Sequence, residues 1–243
     1  MKQCTYIVKE NTKIARNVYK MRLFGDTSAV GTPGQFANIL VDGCYLRRPF
    51  SVADRVGDVL TVVYRTVGQG TERMAEFTRG HALDVLVGLG QGFDLSAAGK
   101  RPLLVGGGVG AAPLLYLARR LSEDGRAVTV LLGFRSAEDV ILTDDFHRLG
   151  ASVHVVTEDG TGGTRGLVTD VLPSDYTFFY ACGPLAMLRA LDAVAVGTGE
   201  YSLEERMGCG FGACLGCTHK MAGGALARIC KEGPVFRREA LAW

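Results

Sequence analysis

The pattern of hydrophobic and polar positions divides this 243-residue chain into two kinds of sequence. Up to about Asp94, short apolar runs are separated by turn residues and predict a series of strands. The predicted strands are Cys4–Lys9, Val18–Phe24, Gln35–Val41, Phe50–Ala53, Val59–Arg65 and Asp84–Leu89. Short strands at this spacing are typical of an antiparallel barrel or sandwich.

From Arg101 the pattern changes to alternating strands and helices, which predicts a doubly wound parallel α/β sheet. The predicted strands are Leu103–Val105, Val128–Leu132, Val153–Val156 and Thr177–Cys182, and the predicted helices are Ala112–Leu121, Asp139–Leu149 and Leu185–Val196. We therefore expect three parts. These are a β-barrel domain over residues 1–97, an α/β domain over 98–198 and a small cysteine-rich module over 199–243.

Composition and charge exclude several classes of partner. The chain has 27 basic and 25 acidic side chains, a formal charge of +2, which argues against nucleic acid or an anionic membrane as an obligatory partner. No apolar run reaches the ~18 residues of a membrane span. Seven cysteines are an odd number, and this favours a reducing cytoplasm over a disulfide framework.

Four of the cysteines form the most informative motif. Their order is C-x4-C-x2-C-x12-C, and they are Cys209, Cys214, Cys217 and Cys230. The first three match the plant-type ferredoxin spacing, and glycines between them allow the backbone to approach a cluster closely. Structural zinc is the main alternative, but zinc ligands usually come as two short pairs, and Cys230 stands alone. The spacing predicts a [2Fe–2S] cluster.

Two stretches of the predicted barrel contain residues suited to binding phosphate groups. In the first, an arginine of the Arg47–Arg48 pair offers a fork of donors to a diphosphate, and the Ser51 hydroxyl can reach a flavin ring atom. The alternative is an ordinary basic edge strand. In the second, the strand ending at Arg65 is followed by Gly68–Thr71, whose N–H groups and hydroxyl are suited to phosphate. Together they favour a dinucleotide.

The glycines of Gly106–Pro113 join a predicted strand to a helix, as a nucleotide-binding turn would. The fingerprint is incomplete, because the expected acidic residue falls inside the helix. Cys182 ends the last clear strand, either as a buried structural thiol or at the ligand-binding edge of the sheet. We favour Gly108 and Cys182 as nicotinamide-site residues. No Ser/His/Asp arrangement is present, so no catalytic residue is assigned.

With these motifs in view, the whole chain resembles the ferredoxin-reductase-like flavoproteins, and within them the electron-transfer subunits of NAD-dependent dihydroorotate dehydrogenases. The specific part of the resemblance is the C-terminal module, from Glu205–Cys209 to Cys230–Phe236. The other matching stretches are Pro33–Phe36, Arg47–Ser51, Val63–Arg65 with Gly70–Thr71, Gly106–Pro113 and Cys182–Pro184.

The resemblance implies a role in pyrimidine biosynthesis. It implies FAD held by Arg48, Pro49, Phe50, Ser51, Val63, Tyr64, Arg65, Gly70 and Thr71, a [2Fe–2S] cluster on the four cysteines, and NAD as co-substrate. It also implies a separate FMN-containing catalytic subunit, usually in a heterotetramer. Electrons would pass from that subunit through the cluster and FAD to NAD⁺.

Three alternatives stay open. Arg135 and Arg148 lie near the end of the second sheet strand, where an arginine would favour NADP over NAD. The chain also resembles the small FAD/[2Fe–2S] subunit of an NADH-dependent ferredoxin:NADP or sulfide oxidoreductase. A redox adaptor without flavin is a third hypothesis, which the intact Arg48–Ser51 and Gly70–Thr71 stretches disfavour.

Overall fold

The N-terminal half forms a closed six-stranded barrel in the computed structural model, which describes residues 1–243. Its strands follow the order β1-β2-β5-β4-β3-β6, and every neighbouring pair is antiparallel. The elements are β1 (Lys2–Ala15), β2 (Val18–Phe24), β3 (Phe36–Ile39), β4 (Arg48–Val56), β5 (Val59–Arg65), α1 (Gln69–Ala75) and β6 (Ala82–Leu89). The predicted antiparallel barrel is confirmed, and the sandwich alternative is excluded.

Alternation of side chains between the two faces of each strand fills this barrel. Tyr6, Met21, Ile39 and Val62 are fully buried in one apolar cluster inside it. The outward residues of β3 are buried as well, because other parts of the chain cover that wall. Phe36 belongs to a different apolar cluster, which it shares with the cysteine module.

The second half forms a seven-stranded sheet in the order β10-β9-β8-β7-β11-β12-β15. Its strands are β7 (Pro102–Gly107), β8 (Thr129–Phe134), β9 (Ser152–Thr157), β10 (Thr164–Arg165), β11 (Phe178–Cys182), β12 (Gly199–Ser202) and β15 (Val235–Arg237). A separate small hairpin, of β13 (Thr218–Lys220) and β14 (Leu226–Arg228), lies between β12 and β15 in sequence. All pairings in the sheet are parallel except that of β15 with β12. The predicted parallel sheet is confirmed, although the sequence did not predict β10, β12 or β15.

Three helices accompany this sheet: α2 (Ala111–Glu123), α3 (Thr143–Arg148) and α4 (Leu185–Val194). The prediction of a helix over Asp139–Leu149 was too long. Leu142 adopts a left-handed conformation with φ of 64°, which interrupts the backbone between a short turn at Ala137–Asp139 and α3. None of the four α-helices combines the length and hydrophobicity needed to cross a bilayer.

The cysteine module is an excursion between two hydrogen-bonded strands of the sheet. The chain leaves at the end of β12, forms the cysteine loop and the β13–β14 hairpin, and returns in β15 alongside β12. Residue 198, the predicted end of the α/β domain, therefore directly precedes a strand of the sheet. Sheet hydrogen bonds fix both ends of the module.

Helix α2 joins the sheet to the barrel. Its Tyr116 belongs to the apolar cluster inside the barrel, and Ala112 and Leu115 belong to the cluster under the sheet. Arg119 of α2 makes a two-pronged ion pair with Asp54 of β4, with Nε to Oδ1 at 2.8 Å and Nη2 to Oδ2 at 2.6 Å. This geometry is the strong form of an arginine–carboxylate pair.

We predict that Arg119→Ala lowers the free energy of unfolding by roughly 2–3 kcal/mol. The substitution leaves Asp54 without its cation, although its side chain is only 12% exposed. We expect somewhat less than the loss for a fully buried pair, because Arg119 itself is 29% exposed. Urea-induced unfolding followed by tryptophan fluorescence and circular dichroism measures the difference.

The matched control is Arg120→Ala, on the next residue of the same helix. Arg120 makes only an open pair with Glu123 at 3.8 Å, so we expect a change within about 0.5 kcal/mol. Equal losses in the two variants would contradict a special role for the Arg119–Asp54 pair.

Candidate functional site

A cavity of about 290 Å³ lies where the barrel, the start of α2 and the cysteine module meet. Seven of the nine residues predicted to hold FAD line it. They are Pro49, Phe50, Ser51, Val63, Tyr64, Arg65 and Thr71. This barrel cavity is mostly apolar on the side of Phe50 and Tyr64, whose rings lie 5.6 Å apart. The arrangement can hold a flat aromatic group against β4 and β5.

The other two predicted FAD residues, Arg48 and Gly70, lie against each other. A Cβ added to Gly70 would come within 2.6 Å of Arg48 Nε, so only glycine lets the guanidinium reach the backbone here. Thr71 fixes the same loop, because its hydroxyl accepts from Val67 N–H at 2.9 Å and donates to Gly68 O at 2.9 Å. The two predicted phosphate-binding stretches therefore form one surface.

Arg65 stands between this cavity and a second one, and it lines both. Its Nε is buried and has no hydrogen-bond partner in the protein. A buried guanidinium N–H without an acceptor is costly, so the position suits an anionic ligand group. The residues at the barrel cavity thus fit a flavin dinucleotide in both their apolar and their cationic parts.

The second cavity, of about 420 Å³, lies at the carboxyl edge of the sheet, where nucleotides bind in open α/β folds. Gly108, which we predicted to be a nicotinamide-site residue, lies between β7 and α2 and lines this cavity. A Cβ on Gly107 would come within 2.9 Å of Pro184 Cδ, so the glycine turn and the start of α4 approach each other closely. This sheet-edge cavity fits a nucleotide whose phosphates lie on main-chain N–H groups.

The Cys182 side chain is fully buried and does not line either cavity. Burial raises the pKa of its thiol, which excludes a thiolate there at neutral pH. Pro184, two residues later, does line the sheet-edge cavity. The predicted Cys182–Pro184 stretch reaches this cavity through its proline.

Arg135 and Arg148 are the two arginines whose sequence positions would suit the 2′-phosphate of NADP. Arg135 lines the sheet-edge cavity together with two carboxylates, Asp139 and Glu158. Arg148 does not line it and pairs with Asp145 at 2.7 Å. The mixed charge around Arg135 is less favourable to a phosphate dianion than an arginine cluster would be.

The four predicted cluster ligands form two pairs. Cys209 N–H donates to Cys214 Sγ at 3.4 Å, and Cys230 N–H donates to Cys217 Sγ at 3.5 Å. No group of three or more His, Cys, Asp or Glu side chains is arranged to hold a single metal ion. Four thiols in neighbouring pairs are a donor set that fits a [2Fe–2S] cluster, in which cysteine thiolates hold both irons.

The electrostatics of these thiols also fit a cluster. Burial raises the pKa of the Cys209 thiol, but N–H groups of Phe211, Cys214 and Ala213 outweigh it and bring the pKa down to about 6. Burial and the neighbouring Cys217 raise the pKa of Cys230 to about 12. N–H groups therefore surround the Cys209 thiol, whereas Cys217 and Cys230 lie against each other.

The cysteine pairs are connected to the barrel cavity through an apolar cluster. Cys217 and Cys230 belong to the same apolar cluster as Phe36, and Phe36 lines that cavity. Met207 and Pro234, on either side of the cysteine loop in sequence, line it as well. A group in the cavity and a cluster on the thiols would therefore be neighbours.

Sequence reasoning assigned no site role to several cavity residues. These are Phe36, Val67, Val109, Ala112, Ser202, Leu203, Glu204, Glu205, Met207 and Pro234. Six of them lie inside stretches that carried the family resemblance, which was the available signal: Phe36, Val109, Ala112, Glu205, Met207 and Pro234. His219 Nδ1 lies 3.8 Å from a carboxylate oxygen of Glu205, one of these cavity residues.

Comparisons with known proteins agree with this arrangement. Residues 204–242 match the family model described as the iron-sulfur cluster binding domain of dihydroorotate dehydrogenase B, and residues 104–193 match the oxidoreductase NAD-binding domain. Among solved structures, an NADH-dependent reduced ferredoxin-NADP oxidoreductase superposes with a TM-score of 0.87, at 28% identity over 98% of this chain and 90% of that one. Phthalate dioxygenase reductase shares the fold, with a TM-score of 0.62 at 20% identity over 78% of this chain and 63% of that one.

Full-length relatives are more similar still. The chain is 44% identical to a protein of Shouchella clausii over 97% of this chain and 96% of the relative, and 43% identical to one of Bacillus mycoides over 97% of each. A relative in Fusobacterium nucleatum is 40% identical, over 97% of this chain and 96% of its own length. All three are named dihydroorotate dehydrogenase B (NAD(+)), electron transfer subunit, and the predicted resemblance is confirmed: this chain belongs to the family of dihydroorotate dehydrogenase B electron transfer subunits.

Proposed function

We propose that this chain is the electron-transfer subunit of an NAD-linked dihydroorotate dehydrogenase of pyrimidine biosynthesis. It connects a partner subunit that carries FMN to NAD⁺, by way of a [2Fe–2S] cluster and FAD. The observation that carries the proposal is the barrel cavity, which the barrel, the nucleotide domain and the cysteine module line together. A flavin in this cavity would lie between the nicotinamide, which carries two electrons, and the cluster, which carries one.

A nicotinamide exchanges two electrons as hydride and a [2Fe–2S] cluster takes one at a time, so the flavin supplies the conversion between them. The residues of this chain bind and orient. Arg48 and Gly70–Thr71 hold the diphosphate of FAD, Phe50 and Tyr64 support its rings, and the four cysteines ligate iron. Gly108 and Pro184 border the nicotinamide nucleotide.

A second candidate is a subunit of an NADH-dependent reduced ferredoxin:NADP oxidoreductase. The solved structure of such a protein has the same fold and aligns with 98% of this chain. Sequence identity favours the first candidate, because the chain is 40–44% identical to the dihydroorotate dehydrogenase B subunits and 28% identical to the ferredoxin-NADP oxidoreductase. We also propose the cytoplasm as the compartment, since none of the seven cysteines forms a disulfide. We also propose a heterotetramer with the FMN subunit as the assembly, as the family resemblance implies.

The first prediction concerns the cluster. Cys214→Ser removes the most exposed of the proposed ligands, so the purified chain should lose most of its iron and acid-labile sulfide and the EPR signal of the reduced cluster. Cys44→Ser, at a free thiol of the barrel, is the matched control and should keep all three. A parent protein that contains zinc and gives no EPR signal would contradict the assignment.

The second prediction concerns FAD. Arg48→Ala should lower the FAD-to-protein ratio after gel filtration at least tenfold, because a two-pronged contact with a diphosphate is lost. Arg47→Ala is the control: Arg47 bonds to the Asp84 carboxylate at 3.0 Å and to its carbonyl at 3.0 Å, so its loss should lower thermal stability more than FAD content. Equal FAD retention in parent and both variants would exclude Arg48 as a ligand.

The third prediction concerns the partner. Alone, the chain should oxidise NADH with artificial acceptors but should not oxidise dihydroorotate, because it has no orotate site. Phe211 and Leu215 of the cysteine loop are 46% and 59% exposed, and we expect them to contact the FMN subunit. A Phe211→Lys, Leu215→Lys double variant should therefore lose NAD⁺-linked orotate formation with that subunit while it keeps its NADH–dye activity.

Val196→Lys provides the control for this variant, because Val196 is 77% exposed but lies between α4 and β12, outside the cysteine loop. It should leave complex formation unchanged in gel filtration. Dihydroorotate oxidation by the purified chain alone, or full activity of the double variant, would contradict the proposed partnership.

A further inference from the structure

A buried asparagine lies under the cysteine loop and belongs to neither cavity. Asn38 is on β3, with its side chain on the outward face of the barrel, and it is fully buried. Its Nδ2 donates to the carbonyl oxygen of Cys209 at 3.2 Å, across 171 residues of sequence. The barrel wall thus bonds directly to the main chain of the first proposed cluster ligand.

The loop is shaped around this amide. Gly210, the next residue, has φ of 77°, and a Cβ added to it would overlap Asn38 Nδ2. Only glycine therefore lets the peptide after Cys209 lie on the asparagine. The carbonyl and the following N–H of a trans peptide point in opposite directions. Binding the Cys209 carbonyl to the barrel consequently turns the Gly210 N–H away from it.

Burial of the Asn38 side-chain amide costs free energy, because one of its two polar atoms is not hydrogen-bonded. Asn38 Oδ1 is buried and has no hydrogen-bond partner. An aliphatic side chain of similar size would fill the same space without leaving a polar atom unsatisfied. The contribution of Asn38 is therefore its bond to Cys209 rather than its packing in the barrel.

We propose that Asn38 is a positioning residue for the iron–sulfur site. It fixes the orientation of the Cys209–Gly210 peptide, and with it the start of the loop in which Ala213 N–H donates to Cys209 Sγ at 3.3 Å. Hydrogen bonds to the sulfur atoms set the reduction potential of such clusters. The barrel that binds FAD thereby also determines how firmly the loop holds iron and at which potential. This proposal rests on the proposed cysteine ligands.

The test is Asn38→Leu, with iron release to a chelator, the EPR spectrum and the midpoint potential of the cluster as readouts. We expect roughly tenfold faster iron loss, because one hydrogen bond to the loop is removed. The EPR spectrum and the potential should shift, while the FAD-to-protein ratio stays that of the parent. Gly210→Ala breaks the same contact from the loop side and should give the same changes without altering the barrel.

Asn11→Leu is the matched control. Asn11 is the other asparagine of the barrel strands, and its Nδ2 donates to the carbonyls of Met74 at 2.8 Å and Phe77 at 3.1 Å. It should lower barrel stability and leave iron release unchanged. Parent-like iron release, EPR spectrum and potential in Asn38→Leu, or equal iron loss in Asn11→Leu, would overturn the proposal. A parent chain without iron would instead overturn the ligand assignment itself.

Discussion

The outward face of strand β3 carries the contacts on which the rest of the arrangement depends. Phe36 lines the barrel cavity from this face and shares an apolar cluster with Cys217 and Cys230. Two residues further, Asn38 bonds to Cys209. Because residues two apart on a strand point to the same side, this one short strand borders the barrel cavity proposed for FAD and also supports the cysteine loop. The spacing between the two redox sites is therefore fixed by a rigid barrel wall.

The nucleotide domain is held against the same barrel by helix α2. Its first turn borders the barrel cavity through Val109 and Ala112, and its middle is anchored by Arg119 on Asp54. The cysteine module is bound at both ends to the sheet through β12 and β15. All three parts are therefore positioned by packing and hydrogen bonds. The geometry suits repeated electron transfer, because the sites need not move relative to one another.

The sequence motifs that predict the chemistry are contiguous, and the structure places most of their residues at the two cavities. The cysteine spacing, Arg48–Ser51, Gly70–Thr71 and the glycine turn at Gly108 all report local backbone geometry, which a short stretch of sequence determines. Contacts between distant segments were not predicted. Asn38 and Cys209 are 171 residues apart, and nothing near either one indicates the other. Strand β12 was missed because only four residues pair, and their sheet position depends on β11.

The most direct test of a single relay within this chain is rapid freeze-quench EPR of the isolated FAD- and iron-loaded protein after anaerobic mixing with NADH. Flavin bleaching, followed in parallel by absorbance, reports reduction from the nucleotide side. We predict that the EPR signal of the reduced cluster appears as the flavin bleaches, without any partner subunit. A bleached flavin beside a cluster that stays EPR-silent, yet becomes visible with dithionite, would contradict the arrangement.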